Sequence, residues 1–511
     1  MEIIDVHTHT PVQGPLWKTY LQEMRANGIS ICFTSTLGVQ NWPQFPSSAE
    51  IREANDLSVK FSAYAEGMVL WLAYLNPQNP DAMEELERCV KLGCRGIKLW
   101  VSLKGENTGS LEKCFPILKR AGELGLVVKI HTFQRTGDNH PGEVNLAEAV
   151  ALAQHFPQTK IIAAHTGANW RMSHGALRRL PNLYVDICGS IPQADFVESL
   201  CKWLPTSHIL YGSDALGRSF PSQIAKVTCA DIPEQNKRNI LFNNAKRLFN
   251  ITSHELERAR AKAATIPLPS YLDSPKCDED YTFLIGLPGD QIYTDADLDQ
   301  AIAIQRKYGI KRRYAAYGNS IFSTDLITTN AAFKTFCSRR KSIVPLATLM
   351  PRFINWRETI EASVKQGFQG AILFPYLHNW NLADSAYRAF FEECAHTKLP
   401  LWISTVVYDY RFHHPATSPR PVAQKELLAF LEHAPKNQYI FQGLNASDAS
   451  AVLKLGRQDV KLDVARLLDG TDALRKVVEQ FGCRQLLFGS EYPIRPPQLN
   501  REILATLCLN P

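Results

Sequence analysis

Long apolar segments are missing from this sequence. No run of about 18 consecutive apolar residues, the length that spans a bilayer, occurs in the chain. The chain also starts with a strand-like run, without the basic segment and short apolar region of a secretory signal. We therefore expect a cytoplasmic protein that does not insert into a membrane.

Paired cysteine motifs are also missing. The 12 cysteines are scattered along the chain, and none forms a C-x-x-C pair. Several of them, including Cys32 and Cys188, lie in apolar runs that we predict to be strands. This distribution favours buried thiols over disulfides or a zinc knot.

A strong excess of one charge is missing too. The net charge is +6 over 511 residues. Basic clusters are short, such as Lys311-Arg312-Arg313, and are typical of a solvated face. A nucleic-acid partner is therefore not indicated. A composition of 45% hydrophobic and 21% charged residues is ordinary for a soluble globular enzyme.

The sequence does contain a regular series of apolar, β-branched runs separated by helix-like stretches. Several of those stretches end in glycine, as helices often do. Eight strand and helix pairs within about 250 residues are typical of a closed parallel (β/α)8 barrel of the TIM type. The predicted strands are Ile3 to His9, Ile29 to Ser35, Met68 to Leu75, Gly96 to Val101, Leu126 to Thr132, Lys160 to His165, Leu183 to Cys188 and His208 to Ser213.

Polar side chains stand at the ends of these runs. In the first run Asp5, His7 and His9 share one face, because side chains alternate along a strand. Two imidazoles on one face of a strand end can bind one cation. The carboxyl ends of all strands meet at one side of such a barrel, so we expect the polar residues to meet there. Later runs add Lys98, His131, His165 and Asp214.

The second half of the chain repeats the first with small shifts, but without these residues. The segment Gly93 to Trp100 matches Gly367 to Phe374, and Leu210 to Asp214 matches Leu487 to Glu491. Because core positions persist while candidate ligands change, we predict two tandem (β/α)8 TIM barrels, the second degenerate. We expect a catalytic barrel over 1–250, a linker over 251–279 and a barrel lacking metal ligands over 280–511. The replaced positions pair Lys98 with Ile372, His131 with Ser404 and His165 with Gly443, while the opening strand, near Thr282 to Asp290, has no His-x-His.

Several motifs together resemble the amidohydrolase superfamily. The similarity is greatest to its amidohydrolase-related TIM-barrel branch, which contains metal hydrolases and non-oxidative decarboxylases. It covers residues 1 to 250 well and 280 to 511 weakly. The motifs are Asp5-Val6-His7-Thr8-His9, Ile130-His131, Ala164-His165-Thr166-Gly167, Gly212-Ser213-Asp214 and the closing segment Asn239 to Phe249.

The resemblance implies a divalent metal held by His7, His9, His131 and Asp214. We expect Zn²⁺, because imidazole and carboxylate suit this borderline cation. The resemblance implies one ion rather than two, since the related branch is often mononuclear. His165 is either a further ligand or the general acid/base, and Asp214 also relays a proton. Asp5 is expected to receive an imidazole N–H from behind the ligands.

Lys98 has two interpretations. In binuclear relatives a lysine at this place is carboxylated and bridges two metal ions, which would make Lys98 a ligand. The alternative is a lysine that pairs with the substrate or with an internal carboxylate.

The loops after the strands supply candidate substrate contacts. Arginine there would suit a carboxylated small molecule, because its planar guanidinium pairs with both oxygens. Ordinary surface arginines are the alternative, and Arg218 has a counterpart, Arg495, in the half without ligands. The candidates are Trp100, Arg135, Trp170, Arg171 and Arg218.

Three functions follow as hypotheses. The first is hydrolysis of an amide, ester or lactone by metal-activated water. The second is non-oxidative decarboxylation of an aromatic or unsaturated acid, and the third is a metal-binding scaffold without activity. For the second barrel we expect a pseudo-dimeric pairing with the first inside one chain, with further oligomerisation possible.

Overall fold

The computed structural model describes residues 2–508 except 136, 287–294, 408, 410 and 412–418. The chain divides into two compact units, Met1–Ser270 and Tyr271–Pro511, here named unit 1 and unit 2. All 12 cysteines are free thiols, and most of them are buried. Among the described residues, none of the helices has the length and apolar character needed to cross a bilayer.

Unit 1 is built on parallel strands that follow the eight apolar runs of the sequence. Each run pairs with the next along the chain, and the run at 69–75 is divided at Leu72 into two short strands that do not pair with each other. The Val6 N–H donates to Tyr211 O at 3.0 Å, which joins the first run to the last and closes the ring. The predicted α/β fold with parallel strands is therefore confirmed. The strands are β1 Ile3–His9, β2 Ile29–Ser35, β3 Val69–Trp71, β4 Ala73–Leu75, β5 Gly96–Leu99, β6 Val127–His131, β7 Lys160–Ala164, β8 Leu183–Asp186 and β9 Ile209–Leu210.

Helices alternate with these strands. Three of them begin with a capping box, and in the first two Ser47 and Asn145 accept backbone N–H groups while Glu50 and Glu148 bond back. The helices are α1 Pro15–Ala26, α2 Ser48–Tyr64, α3 Ala82–Lys91, α4 Phe115–Leu124, α5 Leu146–His155, α6 Trp170–Ser173, α7 Phe196–Trp203, α8 Phe220–Thr228, α9 Glu234–Arg238, α10 Asn244–Leu248 and α11 Ser253–Ala264.

Strand β1 shows how the fold positions the polar residues. All seven of its residues are buried, because one face meets the helices and the other meets the interior of the ring. Ile4 and Val6 belong to the apolar core with Ile31 and Phe33 of β2. The alternate residues of β1 are the polar ones, so the opposite face carries them into the ring.

The predicted linker, 251–279, begins with a helix that belongs to unit 1. Thr252 and Glu255 form a capping box at the start of α11. Leu256 and Ala259 are buried in the core of unit 1, and Glu255 pairs with Arg95. The charged helical piece expected from the sequence is therefore present, packed on unit 1.

Unit 2 has parallel strands in the same sequential order. The Tyr281 N–H donates to Phe488 O at 3.0 Å, so the first strand also bonds to the segment after the last. Its opening strand is Glu279–Ile285, whereas 287–290 of the predicted strand lie outside the described residues. The strands are β10 Glu279–Ile285, β11 Arg312–Tyr317, β12 Ile343–Pro345, β13 Ala347–Thr348, β14 Ala371–Leu373, β15 Leu401–Ser404, β16 Tyr439–Gln442, β17 Val460–Asp463 and β18 Leu486–Leu487.

Helices again separate the strands of unit 2. Asp325 and Asn445 cap two of them by accepting backbone N–H groups of the first turn. The helices are α12 Asp295–Lys307, α13 Leu326–Cys337, α14 Trp356–Lys365, α15 Pro375–His378, α16 Arg388–His396, α17 Gln424–His433, α18 Ala446–Lys454, α19 Ala473–Phe481 and α20 Leu499–Leu507.

Buried carboxylates tie the strand ends together in the same way in both units. In unit 1, Asp5 accepts the N–H of His7 at 2.9 Å and of Ser213 at 3.1 Å. In unit 2, Asp280 accepts the N–H of Thr282 at 3.1 Å and of Ser490 at 2.9 Å. These bonds align β1 with β10, so Thr282 corresponds to His7 and Leu284 to His9.

A second pair of carboxylates repeats this correspondence. Asp186 accepts the N–H of His165 at 2.8 Å, and Asp463 accepts the N–H of Gly443 at the same distance. Both acceptors lie at the end of a strand and are fully buried or nearly so. Gly443 therefore occupies the backbone position of His165.

Candidate metal centre

The imidazoles of His7 and His9 are held in defined orientations. His7 Nδ1 lies 2.9 Å from Asp186 Oδ2, and His9 Nδ1 lies 3.1 Å from Ser35 O. Both partners are acceptors, so each Nδ1 carries a proton and each Nε2 presents a lone pair. This is the arrangement in which a histidine is prepared to bind a metal through Nε2.

Asp214 completes a group of three converging donors. Its Oδ1 lies 3.1 Å from His9 Nε2 and 3.9 Å from His7 Nε2. Two imidazole nitrogens and one carboxylate oxygen thus lie close enough together to share one cation. The donor set of His7, His9 and Asp214 therefore fits a divalent metal.

The backbone leaves room at this point. Gly189 follows β8 with a φ of +82°, and a Cβ there would lie 2.3 Å from His165 Nδ1 and 3.1 Å from Asp214 Oδ2. Any side chain at this position would fill the space beside the two candidate catalytic groups. The glycine therefore keeps that space open.

The protonation states agree with a metal site. Burial lowers the pKa of His7 and His131, and it lowers the pKa of His165 to about 3. Burial opposes ionisation of Asp214, but the hydrogen bond with His9 and the nearby imidazoles hold its pKa well below its ordinary value. Neutral imidazoles and an ionised carboxylate are the forms that bind a cation.

His131 and His165 form a separate pair. His131 Nδ1 lies 3.1 Å from His165 Nε2, and His131 Nε2 lies 2.8 Å from Glu143 Oε1. Glu143 accepts the Nε2 proton, which leaves His131 Nδ1 facing His165. Of the four expected ligands, the structure brings His7, His9 and Asp214 together. It places His131 beside His165.

Cys188 lies between His7 of the three converging donors and His165 of the histidine pair. Its Sγ is 3.0 Å from His7 Nδ1 and 3.1 Å from His165 Nδ1, and it is buried. Burial raises the pKa of this thiol far above its ordinary value. Within the described part of the chain, His7, His165 and Cys188 are a second closely spaced donor group. The sequence predicted only a core thiol here.

Lys98 reaches the centre from β5. Its Nζ lies 3.1 Å from His7 Nε2, and burial lowers its pKa. The side chain is buried. Because its amine lies beside the lone pair of His7 Nε2, it competes with a cation for that lone pair. A bridging role after carboxylation stays a prediction.

Asp5 has other partners in the structure than the imidazole expected from the sequence. Asp5 does not take an imidazole N–H; its Oδ1 accepts the backbone N–H groups of His7 and Ser213. A carboxylate readily accepts the backbone N–H two residues further along the chain. This bond holds the Asp5 side chain at the backbone of His7. Asp186 orients His7 instead. The sequence carried a signal for Asp186, because its counterpart Asp463 persists in the second half.

Sequence reasoning also missed Glu143. This buried residue lies in the loop after β6 and bonds both His131 and Arg135, whose Nε is 3.2 Å from Glu143 Oε2. Burial favours the neutral carboxyl group, but the hydrogen bonds from His131 and Arg135 lower its pKa to about 2. Arg135, an expected substrate contact, is thus paired with Glu143 and lies over the ring of Phe133 at 4.5 Å.

Aromatic side chains line the approach to His9. The Trp42 ring lies 5.2 Å from the His9 ring, and Trp100 lies 6.0 Å from Trp42. Trp100 was expected at the substrate site, whereas Trp42 was not. Trp42 is 47% exposed, in a loop without a periodic pattern, so the sequence offered no signal for it.

The remaining expected substrate contacts are engaged elsewhere. The Trp170 ring is buried against Phe196 and Trp203, and the Arg171 guanidinium covers it at 4.7 Å. Arg218 donates from Nε to Gly189 O at 2.7 Å, so it supports the loop beside His165.

Comparison with known proteins agrees with the motifs in unit 1. Residues 4–251 match the family model described as amidohydrolase. No curated protein sequence matches the chain.

Solved structures with similarity each cover about half of the chain. A 2,6-dihydroxybenzoate decarboxylase from Rhizobium is 21% identical, covers 49% of this chain and 99% of its own, and has a TM-score of 0.38. A 4-oxalomesaconate hydratase from Rhodopseudomonas palustris is 19% identical, covers 51% of this chain and 98% of its own, and has a TM-score of 0.38. A TIM-barrel protein from Bordetella bronchiseptica is 16% identical, covers 51% of this chain and 100% of its own, and has a TM-score of 0.35.

Proposed function

We propose that unit 1 is a metal-dependent hydrolase of the amidohydrolase type that acts on an amide, ester or lactone of a small molecule. The observation that carries this proposal is the convergence of His7 Nε2, His9 Nε2 and Asp214 Oδ1. The family match over residues 4–251 supports it, because this family generally binds a divalent metal. Imidazole and carboxylate donors favour Zn²⁺.

His7, His9 and Asp214 would hold the ion. When bound, Zn²⁺ would act as a Lewis acid and would allow water to lose its proton near neutral pH. Asp214 would be the general base, because its carboxylate can take up a proton at this place. Asp186 and Ser35 keep His7 and His9 in the orientation in which Nε2 faces the ion.

His165 is the second candidate for proton transfer. Its Nδ1 lies beside Cys188 and its Nε2 beside His131, so its ring is held at both nitrogens. Gly189 keeps the space between His165 and Asp214 free of a side chain. Because its lowered pKa leaves the ring neutral, His165 is placed to accept a proton in this space, as the second candidate for general acid/base catalysis.

Decarboxylation of an aromatic acid is the second candidate function. The observation that favours it is the aromatic surface next to the donors, formed by Trp42 and Trp100 near His9 and by Phe133 near His131. These rings suit a planar substrate, and Arg135 beside Phe133 could pair with its carboxylate.

A direct assay separates the two functions. The full chain, loaded with Zn²⁺, is incubated with a panel of lactones, esters, amides and carboxylated phenols. Incorporation of ¹⁸O from labelled water into an acid product supports hydrolysis, whereas release of CO₂ supports decarboxylation. If neither occurs while the metal is retained, a metal-binding scaffold without activity becomes the better description.

We further propose that unit 2 is a diverged copy of unit 1. The matching bonds of Asp5 and Asp280, and of Asp186 and Asp463, support this origin. The lost imidazoles support the view that unit 2 no longer holds the metal. The expected pseudo-dimeric pairing of the two halves stays a prediction.

A further inference from the structure

Unit 2 contains a small cavity of about 40 Å³ at the carboxyl ends of its strands. Its lining includes Thr282, Leu284, Ile372 and Ser404. By the strand pairing and carboxylate bonds of the two units, these positions correspond to His7, His9, Lys98 and His131. The place that holds the metal donors in unit 1 is thus a small cavity in unit 2.

The walls of this cavity are mainly apolar and aromatic. Tyr314 and Phe374 contribute rings, and aliphatic side chains such as Ile372 and Leu284 pack in the same cluster. Aromatic walls of this kind favour a planar ring, which they contact face to edge or in offset stacks.

The charges at the cavity are already balanced. Glu491 is the acidic residue in its lining, and its two oxygens bond Arg466 Nε at 2.7 Å and Arg495 Nε at 2.6 Å. Arg495 is fully buried and also pairs with Asp469 at 2.6 Å. Two carboxylates therefore neutralise two guanidinium groups. A charged ligand would enter without a counter-ion, and burying it would be costly.

A few polar atoms remain at the cavity wall. The Ser404 hydroxyl has a long contact of 3.5 Å with Val406 O, which is at the limit of a hydrogen bond. Gln442 uses its Nε2 to donate to Tyr281 O at 2.7 Å, and its side-chain oxygen has no such bond assigned among the described residues. A ligand hydroxyl can bond either group.

From these features we propose that unit 2 binds a small, uncharged aromatic molecule that carries a hydroxyl group, such as a simple phenol. The site would act as a binding site without chemistry, since the metal donors of unit 1 are replaced by Thr282, Leu284, Ile372 and Ser404.

The test uses the full chain and 4-fluorophenol, with binding followed by ¹⁹F NMR. Benzoate and benzylamine serve as anionic and cationic probes of similar shape. Two variants reduce the cavity, Ile372→Phe and Ala316→Ile, and Ile354→Phe is the control, because Ile354 is fully exposed. Thermal melting identifies a variant that fails to fold, in which case the other one decides.

We expect saturable binding of 4-fluorophenol that weakens at least tenfold in the cavity variants and is unchanged in the control. Benzoate and benzylamine should bind at least tenfold more weakly than the phenol. Absence of saturable phenol binding overturns the proposal. Binding that both folded cavity variants retain also overturns it, since the phenol would then occupy unit 1 or the surface. Equal binding of benzoate contradicts the charge argument and thus the assigned ligand class.

Discussion

The two units share an arrangement of buried carboxylates that accept backbone N–H groups at the strand ends, here called the frame. They differ in the side chains that lie next to it. Asp5 and Asp280 make the same backbone bonds, and so do Asp186 and Asp463. Above the frame, unit 1 carries converging imidazoles, while unit 2 has hydroxyl and apolar side chains around a cavity. The frame therefore serves the fold in both units, and the chemistry depends on the few side chains that it presents.

The carboxylates after the last strand show this division most clearly. Asp214 and Glu491 both have positive φ, +61° and +52°. Asp214 faces His9, with 23% of its side chain exposed, whereas Glu491 is held between Arg466 and Arg495. The two positions thus share a backbone conformation but differ in their side chains, one a candidate ligand and the other part of an ion-pair network.

The largest expected effect comes from Asp214→Asn. An amide cannot accept the proton of a reacting water, so kcat/KM should fall by about 10²- to 10⁴-fold with the fold intact. The matched variant Glu491→Gln should leave kcat unchanged in folded protein but reduce stability, because it weakens two buried ion pairs. Steady-state kinetics and urea denaturation of both variants test this contrast. Equal loss of activity in both would remove the functional distinction between the units.

The arginine counterparts should differ in stability. Arg495→Ala leaves Glu491 and Asp469 buried with fewer partners, so the free energy of unfolding should fall by about 3–5 kcal/mol. Arg218→Ala removes a partly exposed side chain that donates to Gly189 O, and the loss should be about 1 kcal/mol. Urea denaturation of the two variants measures the difference, and a larger loss for Arg218→Ala would contradict the assignment of Arg495 to structure.

The pH dependence of stability provides a third contrast. Burial and the charge of Glu491 raise the pKa of Asp463 from 3.8 to about 7. The folded state therefore binds this proton more tightly than the unfolded state. The resulting stability is fully present below pH 3.8 and is lost as the pH rises through about 7.

Asp463→Asn tests that effect. Between pH 4 and 7 the wild type should lose stability more steeply than the variant, by up to about 1.4 kcal/mol per pH unit. Asp5 and Asp280 stay unchanged in this comparison, so their contributions cancel. Parallel pH profiles from urea denaturation would show that Asp463 does not titrate in this range.

The smallest effect is expected at the approach to His9. Trp42→Ala removes a ring 5.2 Å from the His9 ring and should raise KM about tenfold with little change in metal content. Trp170→Phe is the control, because Trp170 is buried against Phe196 and should leave KM within about twofold. Kinetics with a substrate found in the assay panel check both, and a larger KM effect for Trp170 would restore it as a substrate contact.

Much of unit 1 could be predicted from the sequence because its signals are local. The alternation of His7 and His9 with buried apolar residues places both on one strand face. Glu143 and Trp42 could not be found in this way, since their contacts with His131 and His9 join loops to strand ends distant in sequence. At Asp5 the contact is local, because its carboxylate accepts the backbone N–H of His7 two residues further along the chain.

The central claim is that a divalent cation binds through His7, His9 and Asp214 in unit 1 and does not bind in unit 2. Metal content of the full chain tests it most directly, using the double variant His7→Ala/His9→Ala and the matched double variant Thr282→Ala/Leu284→Ala. The account predicts about one Zn²⁺ per chain in the wild type and in the unit 2 variant, and almost none in the unit 1 variant. Full metal content after loss of both histidines, or loss of the metal on changing Thr282 and Leu284 alone, would contradict it.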